Sequence, residues 1–329
     1  MKSILVTGGG GYIGSILCSL LIEKGYQVIA LDRFFFGKET LSDQSGRLTI
    51  IENDIRFIKQ EVFKDVDAII DLAALSNDPA GELDPIKTWS INHLGRLRIA
   101  TLAKVAGVKR YIFPSSCSIY GFQEKAVDEA SPVNPLTTYA KANYQAENDI
   151  MALASDSFCV VILRQATLYG YSPRMRFDLA INGMVKGFIK NGKIPILKDG
   201  NQWRPFVHVR DTSSVMMLCL EAETKDINRQ IFNVGSDEQN YQIFNLAERV
   251  AKAMEVPFSY EWYGQPDHRS YQVRFDKVRK AFGYQPQFKA EDGTREIVIA
   301  INEKRLDPDD ARTITVEWYK KLLNEGVMI

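Results

Sequence analysis

The run Thr7-Gly8-Gly9-Gly10-Gly11-Tyr12-Ile13-Gly14 lies between an apolar strand start, Ile4-Leu5-Val6, and an apolar-periodic stretch from Ile13 to Ile22. Strand, glycine turn and helix in that order leave few folds open. Gly8 permits the tight turn, and Gly11 lets the backbone approach a pyrophosphate. Gly14 lets the helix pack on its strand while the free N–H groups near Tyr12 and Ile13 face the phosphates. The second strand, Gln27 to Leu31, ends in Asp32, eighteen residues beyond Gly14. A carboxylate there accepts hydrogen bonds from an adenosine ribose and repels a 2'-phosphate, so the expected cofactor is NAD rather than NADP. Arg33, next door, belongs to the same binding set and weakens the choice against NADP.

Composition narrows the remaining possibilities. A chain of 329 residues with 45% hydrophobic content can bury one large core or two moderate ones. Lys plus Arg and Asp plus Glu each count 41, so no summed field draws the protein to nucleic acid or an anionic membrane. The expected partner is a small molecule. Cys18, Cys117, Cys159 and Cys219 are scattered and mostly set in apolar runs, which fits reduced core thiols. His93, His208 and His268 are too widely spaced for a zinc cluster, so no metal is expected. No apolar run approaches membrane length and the first strand begins at residue 3, which leads us to expect a cytoplasmic protein.

Strand-like runs at 3–7, 27–32, 47–51, 67–72, 109–114 and 158–164 alternate with helical patterns at 13–24, 86–106 and 138–154. Such alternation predicts an α/β fold, a Rossmann-type doubly wound parallel sheet with helices on both faces. Ligands on such a sheet lie beyond the carboxyl ends of the strands. The residues there are Asp54-Ile55, Ala73-Ala74-Leu75-Ser76, Ser115-Ser116-Cys117-Ser118 and Gln165-Ala166-Thr167. After Gly170 the alternation is lost. We therefore expect an NAD-binding domain over 1–170, to which segments near 205–235 return, and a smaller mixed substrate lobe over 171–329.

Ser115-Ser116 ends the fifth strand, and Tyr139 opens a helix whose start is marked by Asn134-Pro135 and Thr137-Thr138. A tyrosine hydroxyl beside a serine hydroxyl can pass a proton to or from a sugar alcohol while a hydride moves to nicotinamide.

These residues together resemble the extended short-chain dehydrogenase/reductase family, in particular its nucleotide-sugar epimerases and dehydratases, of the UDP-galactose 4-epimerase kind. The family's T-G-x-x-G-x-x-G matches Thr7 to Gly14, and its acidic residue matches Asp32. The resemblance implies adenine contacts from Asp54 and Ile55, an alanine-rich turn at Leu72-Ala73-Ala74, and a helix asparagine at Asn92. The segment Phe113-Pro114-Ser115-Ser116-Cys117-Ser118-Ile119-Tyr120-Gly121 is similar to the family's strand-end motif, with Ser116 at the catalytic position. Ser76, Thr167, Asn182, Arg204 and Arg269 fall where family members hold the nucleotide-diphosphate sugar, and arginine's planar fork suits phosphate oxygens. The stretch from Ser172 to Asn182 looks most like bacterial enzymes of surface-polysaccharide biosynthesis, some of which oxidise GDP-linked heptoses at carbon 4. The resemblance further implies a homodimer, formed through Ile86 to Ala106 and Tyr139 to Leu153.

One departure stands out. The family motif is Tyr-x-x-x-Lys, whereas Tyr139-Ala140-Lys141-Ala142-Asn143 carries asparagine in place of the lysine. Residues four apart share a helix face, so Asn143 can reach the nicotinamide ribose beside Tyr139, while Lys141 points elsewhere. Bringing a phenol from its ordinary pKa of about 10 to near neutrality requires roughly 4 kcal/mol. A lysine charge at about 4 Å supplies that at an effective dielectric of about 20, and Asn143 carries none. Either Tyr139 works more slowly or at higher pH, or a cation from elsewhere in the fold compensates, or the chain only binds its ligands.

The residues after Ser116 narrow the reaction. Sugar 4,6-dehydratases of this family carry Asp-Glu there, and Cys117-Ser118 offers no carboxylate, which disfavours that chemistry. Cys117 is either an acid for epimerisation at a neighbouring carbon or a buried inert thiol. Oxidation at carbon 4 needs only Tyr139, Ser116 and NAD. We therefore expect an NAD-dependent 4-epimerase first, a net 4-dehydrogenase or 4-ketoreductase second, and a catalytically weak binding protein third.

Overall fold

Ile4, Leu5 and Val6 are fully buried, as a strand covered by helices on both faces requires. They form the middle of β1 (Ser3–Thr7) in the computed structural model, which describes residues 2–267 and 269–327; His268 lies outside them. Further strands follow at β2 (Gln27–Asp32), β3 (Leu48–Glu52), β4 (Ala68–Asp71), β5 (Arg110–Ser116) and β6 (Cys159–Gln165). All pair in parallel.

The chain then forms β7 (Thr167–Tyr169), β8 (Ile194–Leu197) and β9 (Trp203–His208) before β10 (Gln230–Val234). β10 returns to the main sheet and pairs in parallel with β6. The seven-stranded order is β10-β6-β5-β4-β1-β2-β3, a doubly wound Rossmann-type sheet. Alternate residues of each strand feed two separate apolar layers. Ile4, Val6, Val28 and Ala30 face one, and Leu5, Leu31, Ile69 and Tyr111 the other.

Helices cover both layers: α1 (Tyr12–Glu23), the short α2 (Asp78–Gly81), α3 (Pro85–Trp89), α4 (Arg96–Val105) and α5 (Thr138–Met151). The periodicity predicts one helix over 86–106; a π-helical turn, Ser90–Gly95, interrupts it. Within this turn the Asn92 side chain brackets Leu75, accepting from its N–H at 2.8 Å and donating to its carbonyl at 3.0 Å. The wide turn shifts the helical register of α4, and Arg96 comes to face inward, 3% exposed.

Beyond β6 lie α6 (Ala180–Asn191) and α7 (Val209–Glu221). A small mixed sheet joins β11 (Asn240–Gln242), β9 and β7, and a two-stranded one joins β12 (Tyr260–Tyr263) to β8. These pack around a second apolar cluster that includes Phe177, Met184, Ile196, Phe206 and Leu246. The last helix, Thr315–Asn324, crosses back to the first sheet. Tyr319 packs there edge-on against Phe35 and Phe36, and Trp318 donates to the Phe35 carbonyl at 2.7 Å. All four cysteines are buried and unpaired. No helix among the described residues is long and apolar enough to cross a membrane.

Candidate active site

The carboxyl ends of the central strands open on one cleft of about 490 Å3, walled on its far side by the smaller lobe. Its floor is the glycine turn. Gly8 has φ +66°, and a Cβ on it would stand 2.7 Å from the Leu72 carbonyl carbon. A Cβ on Gly14 would stand 2.2 Å from the Gly8 carbonyl oxygen, so α1 can meet its strand only without a side chain there. Gly11, Tyr12 and Ile13 complete this floor, with Leu72, Ala73 and Ala74 from the turn after β4.

Asp32 closes the β2 end. Its carboxylate accepts from the N–H of Gly10 at 3.0 Å and of Phe34 at 2.8 Å, and burial raises its pKa. Arg33 is not free to invite a 2'-phosphate, because its Nη1 pairs with Asp54 at 2.8 Å. Arg56 pairs with the same carboxylate at 2.6 Å. Burial pushes Asp54 up, but these two guanidiniums outweigh it and hold its pKa below the ordinary range. Ile55 lines the cleft beside them.

Tyr139 enters at the start of α5, where Thr137 caps the helix by accepting from the Ala140 N–H at 3.1 Å. Tyr139 and Ser116, the last residue of β5, line the same cleft, and the Ser116 hydroxyl favours ionisation of the phenol. Burial raises its pKa most strongly; Arg96 is the largest influence in the opposite sense. The hydroxyls of Ser115 and Ser118 are buried beside this pair with no partner among the described residues. Buried hydroxyls without partners are costly, and a ligand that engages them removes the penalty.

On the opposite wall Arg204 and Arg269 share Asp267, each at 2.8 Å, and Arg269 also pairs with Asp78 of α2. This chain of charges ties the two sides of the cleft together. Burial raises Asp267, but Arg269 and Arg204 prevail and lower its pKa. Ser76 and Thr167 also line the cleft, and Ser76 accepts from Arg176 at 3.3 Å.

The family model for "NAD dependent epimerase/dehydratase family" matches residues 4–235, which takes in the whole parallel sheet. The chain belongs to this family, whose cofactor is NAD. Among similar proteins, the UDP-glucose 4-epimerase of Lactobacillus helveticus is 27% identical over 305 residues, covering 86% of this chain and 92% of that one. UDP-glucuronic acid decarboxylase 1 of Arabidopsis thaliana is 26% identical over 325 residues, covering 94% and 72%. The solved structure of the UDP-N-acetylglucosamine 4-epimerase of Methanobrevibacter ruminantium M1, in complex with UDP-N-acetylmuramic acid, superposes with TM-score 0.83. It is 26% identical, covering 92% of this chain and 99% of that one.

Four residues singled out by sequence do not line this epimerase/dehydratase cleft. Cys117 turns away and donates to the Arg164 carbonyl at 3.2 Å, its thiol pushed well up by burial. Asn92 braces the β4 turn through Leu75. Asn182 holds the loop before it, accepting from the Gly170 N–H at 3.0 Å and donating to the Arg176 carbonyl at 2.9 Å. Asn143 is 1% exposed; its amide donates to the Tyr139 carbonyl at 2.8 Å and its oxygen accepts from Arg96 Nη1 at 2.6 Å. Lys141 is exposed.

Other residues reach the cleft unannounced by any motif. Arg174 is buried, its Nη2 donating to Thr315 at 3.0 Å, while Nε and Nη1 have no partner among the described residues. Its guanidinium lies 3.6 Å from the centroid of Phe36, and burial lowers its pKa to about 10. Arg176 pairs with Asp178 at 2.7 Å. Tyr319 arrives from the last helix. A signal for the arginines existed in Arg174-Met175-Arg176, two cations in an apolar setting, but nothing in the sequence aimed them inward. An anionic dinucleotide fits this floor: a glycine turn without side chains, a carboxylate at β2 and an incompletely paired buried guanidinium.

Proposed function

We propose that the protein is a cytoplasmic, homodimeric NAD-dependent 4-epimerase of a nucleotide-diphosphate sugar. The observation that carries this reading is that Tyr139 and Ser116 line one cleft together with the glycine floor and the Arg204–Arg269 wall. NAD, when bound, supplies the hydride acceptor for carbon 4 and the hydride that returns. The rest belongs to this chain. Tyr139 takes the proton of the C4 hydroxyl and gives one back after the sugar has turned its other face, and Ser116 orients the hydroxyl between the two events. Ser115 and Ser118, with hydroxyls buried and without a partner among the described residues, are available to polar atoms of the bound ligands. Gly8, Gly11, Gly14, Asp32, Asp54, Ile55 and the Leu72-Ala73-Ala74 turn hold the cofactor, with Arg174 offering the hydrogens of its Nε and Nη1 to an anion. Arg204 and Arg269 engage the diphosphate, and Ser76 and Thr167 lie where the sugar would rest.

Tyr319 of the last helix, packed on Phe35 and Phe36, lines the same cleft as the glycine turn. Cys117-Ser118 gives no carboxylate for expelling water, which speaks against a 4,6-dehydratase. The test is to incubate the protein with NAD and a panel of UDP-, GDP-, CDP- and dTDP-sugars, following product stereochemistry by NMR and NADH by absorbance. Inversion at carbon 4 without net NADH supports the proposal. Stoichiometric NADH would replace it with the dehydrogenase, and silence across the panel with binding by calorimetry would replace it with the binding protein.

A further inference from the structure

Asn143 stands where the family motif carries lysine, and a cation lies against it from a neighbouring helix. Arg96 opens α4, is 3% exposed and lines the cleft. Its Nη1 donates to Asn143 Oδ1 at 2.6 Å and its Nε to the Ala73 carbonyl at 2.8 Å. Its guanidinium sits 4.8 Å from the centroid of the Phe113 ring. Two hydrogen bonds and an aromatic face fix the charge in place. Asparagine is suited to that task in a way lysine is not: its oxygen accepts from the guanidinium, while an ammonium has no acceptor and would repel it.

We propose that Arg96 supplies the positive charge missing from position 143, anchored by Asn143 so that its field favours the phenolate form of Tyr139 during proton transfer. This rests on the reading of Tyr139 as proton carrier. Arg96 acts through Tyr139, and so is a positioning residue.

The groups acting on the phenol come from four elements. Arg96 of α4, Arg176 of the loop after β7 and the Ser116 hydroxyl of β5 favour ionisation; Asp78 of α2 and burial oppose it. Arg176 is already paired with Asp178 at 2.7 Å, so the field it sends to Tyr139 is largely that of a neutral pair. Asp78 is likewise paired with Arg269. Asp71, at the end of β4, feels Arg96 but spends its carboxylate on Thr7 and Tyr111 and makes no ion pair with the guanidinium among the described residues. Arg96 is thus the cation near Tyr139 whose charge is least cancelled by a direct carboxylate partner.

The experiment titrates the phenol of residue 139 in the NAD-loaded protein, as the ultraviolet difference between each protein and its Tyr139→Phe counterpart. Backgrounds are the unaltered chain, Arg96→Met, Arg96→Gln, Arg96→Lys and the double variant Arg96→Met with Asn143→Lys. Removing the charge should raise the midpoint by about one pH unit or more, with Arg96→Gln giving the same answer if Arg96→Met does not fold. Arg96→Lys should leave it nearly in place, and the double variant should bring it back. On a turned-over substrate, the alkaline shift should appear in kcat with KM within about twofold. An unmoved midpoint in both neutral variants overturns the proposal. So does a raised midpoint that neither lysine restores, since packing rather than charge would then be responsible. Lack of turnover on every nucleotide sugar would overturn the reading of the reaction, yet a raised midpoint in the same samples would still support the Arg96 assignment.

Discussion

Tyr139 shows how one residue's chemistry depends on what surrounds it. Desolvation alone would make this phenol a poor base, and the field of Arg96 and the Ser116 hydroxyl work against that burden. Replacing Tyr139 by Phe should lower turnover by roughly 10²–10⁴-fold while leaving NAD bound, as judged by steady-state kinetics and by nucleotide released on denaturation. Undiminished turnover would remove Tyr139 from the mechanism. Arg174 makes a second test at this scale. Arg174 lines the cleft, and its Nε and Nη1 have no partner among the described residues. Arg174→Leu should weaken NAD binding by about tenfold or more in calorimetry, the range expected for charge-assisted hydrogen bonds. Unchanged affinity would show that this guanidinium faces something else. Cys117 marks the limit of motif reasoning: its sequence position beside Ser116 admitted an acid, but it opens a 3-10 turn directly after β5, and its thiol donates to β6 instead of entering the cleft.

At the scale of elements, the glycine turn and α1 were legible because their constraint is local. A side chain at position 14 would collide with backbone, which cannot move aside as a flexible side chain can. Gly14→Ala should therefore lower the melting temperature by roughly 5 °C or more and impair NAD binding; a melting curve that matches the parent would contradict so close a fit. The strands at 3–7 and 27–32 were equally readable, since β-branched and aliphatic runs bounded by turns need no tertiary information. The helix over 86–106 was not. Its π-helical turn holds Asn92, whose side chain bonds the turn after β4, a contact seventeen residues away that periodicity does not register. That same turn orients Arg96, so the one departure from regular helix is tied to the site's electrostatics.

For the whole molecule, the parallel order of the sheet brings residues from β1, β2, β4, β5 and β6 to one edge, and the chain's later half supplies the opposite wall. Arg269 and Asp78, 191 positions apart, meet across it. The outer surface carries a further expectation. Ile86 is 83% exposed and Leu94 57% exposed on the helical run assigned to the homodimer. A double variant Ile86→Glu, Leu94→Glu should sediment as a monomer, since burying an unpaired carboxylate opposes association. If the parent chain already sediments as a monomer, or the variant remains dimeric, that face is not the interface.

The sequence alone was enough for the doubly wound class, the cofactor and the placing of Tyr139 and Ser116 at one cleft, because each is written in short-range spacing: a glycine turn, an acidic strand end, a capped helix start. Only the tertiary structure decided where charge goes. It set Arg33 on Asp54, Arg174 beneath Phe36 and Arg96 against Asn143, since the direction in which a buried guanidinium points is chosen by partners distant in the chain and by the hydrogen bonds they leave open.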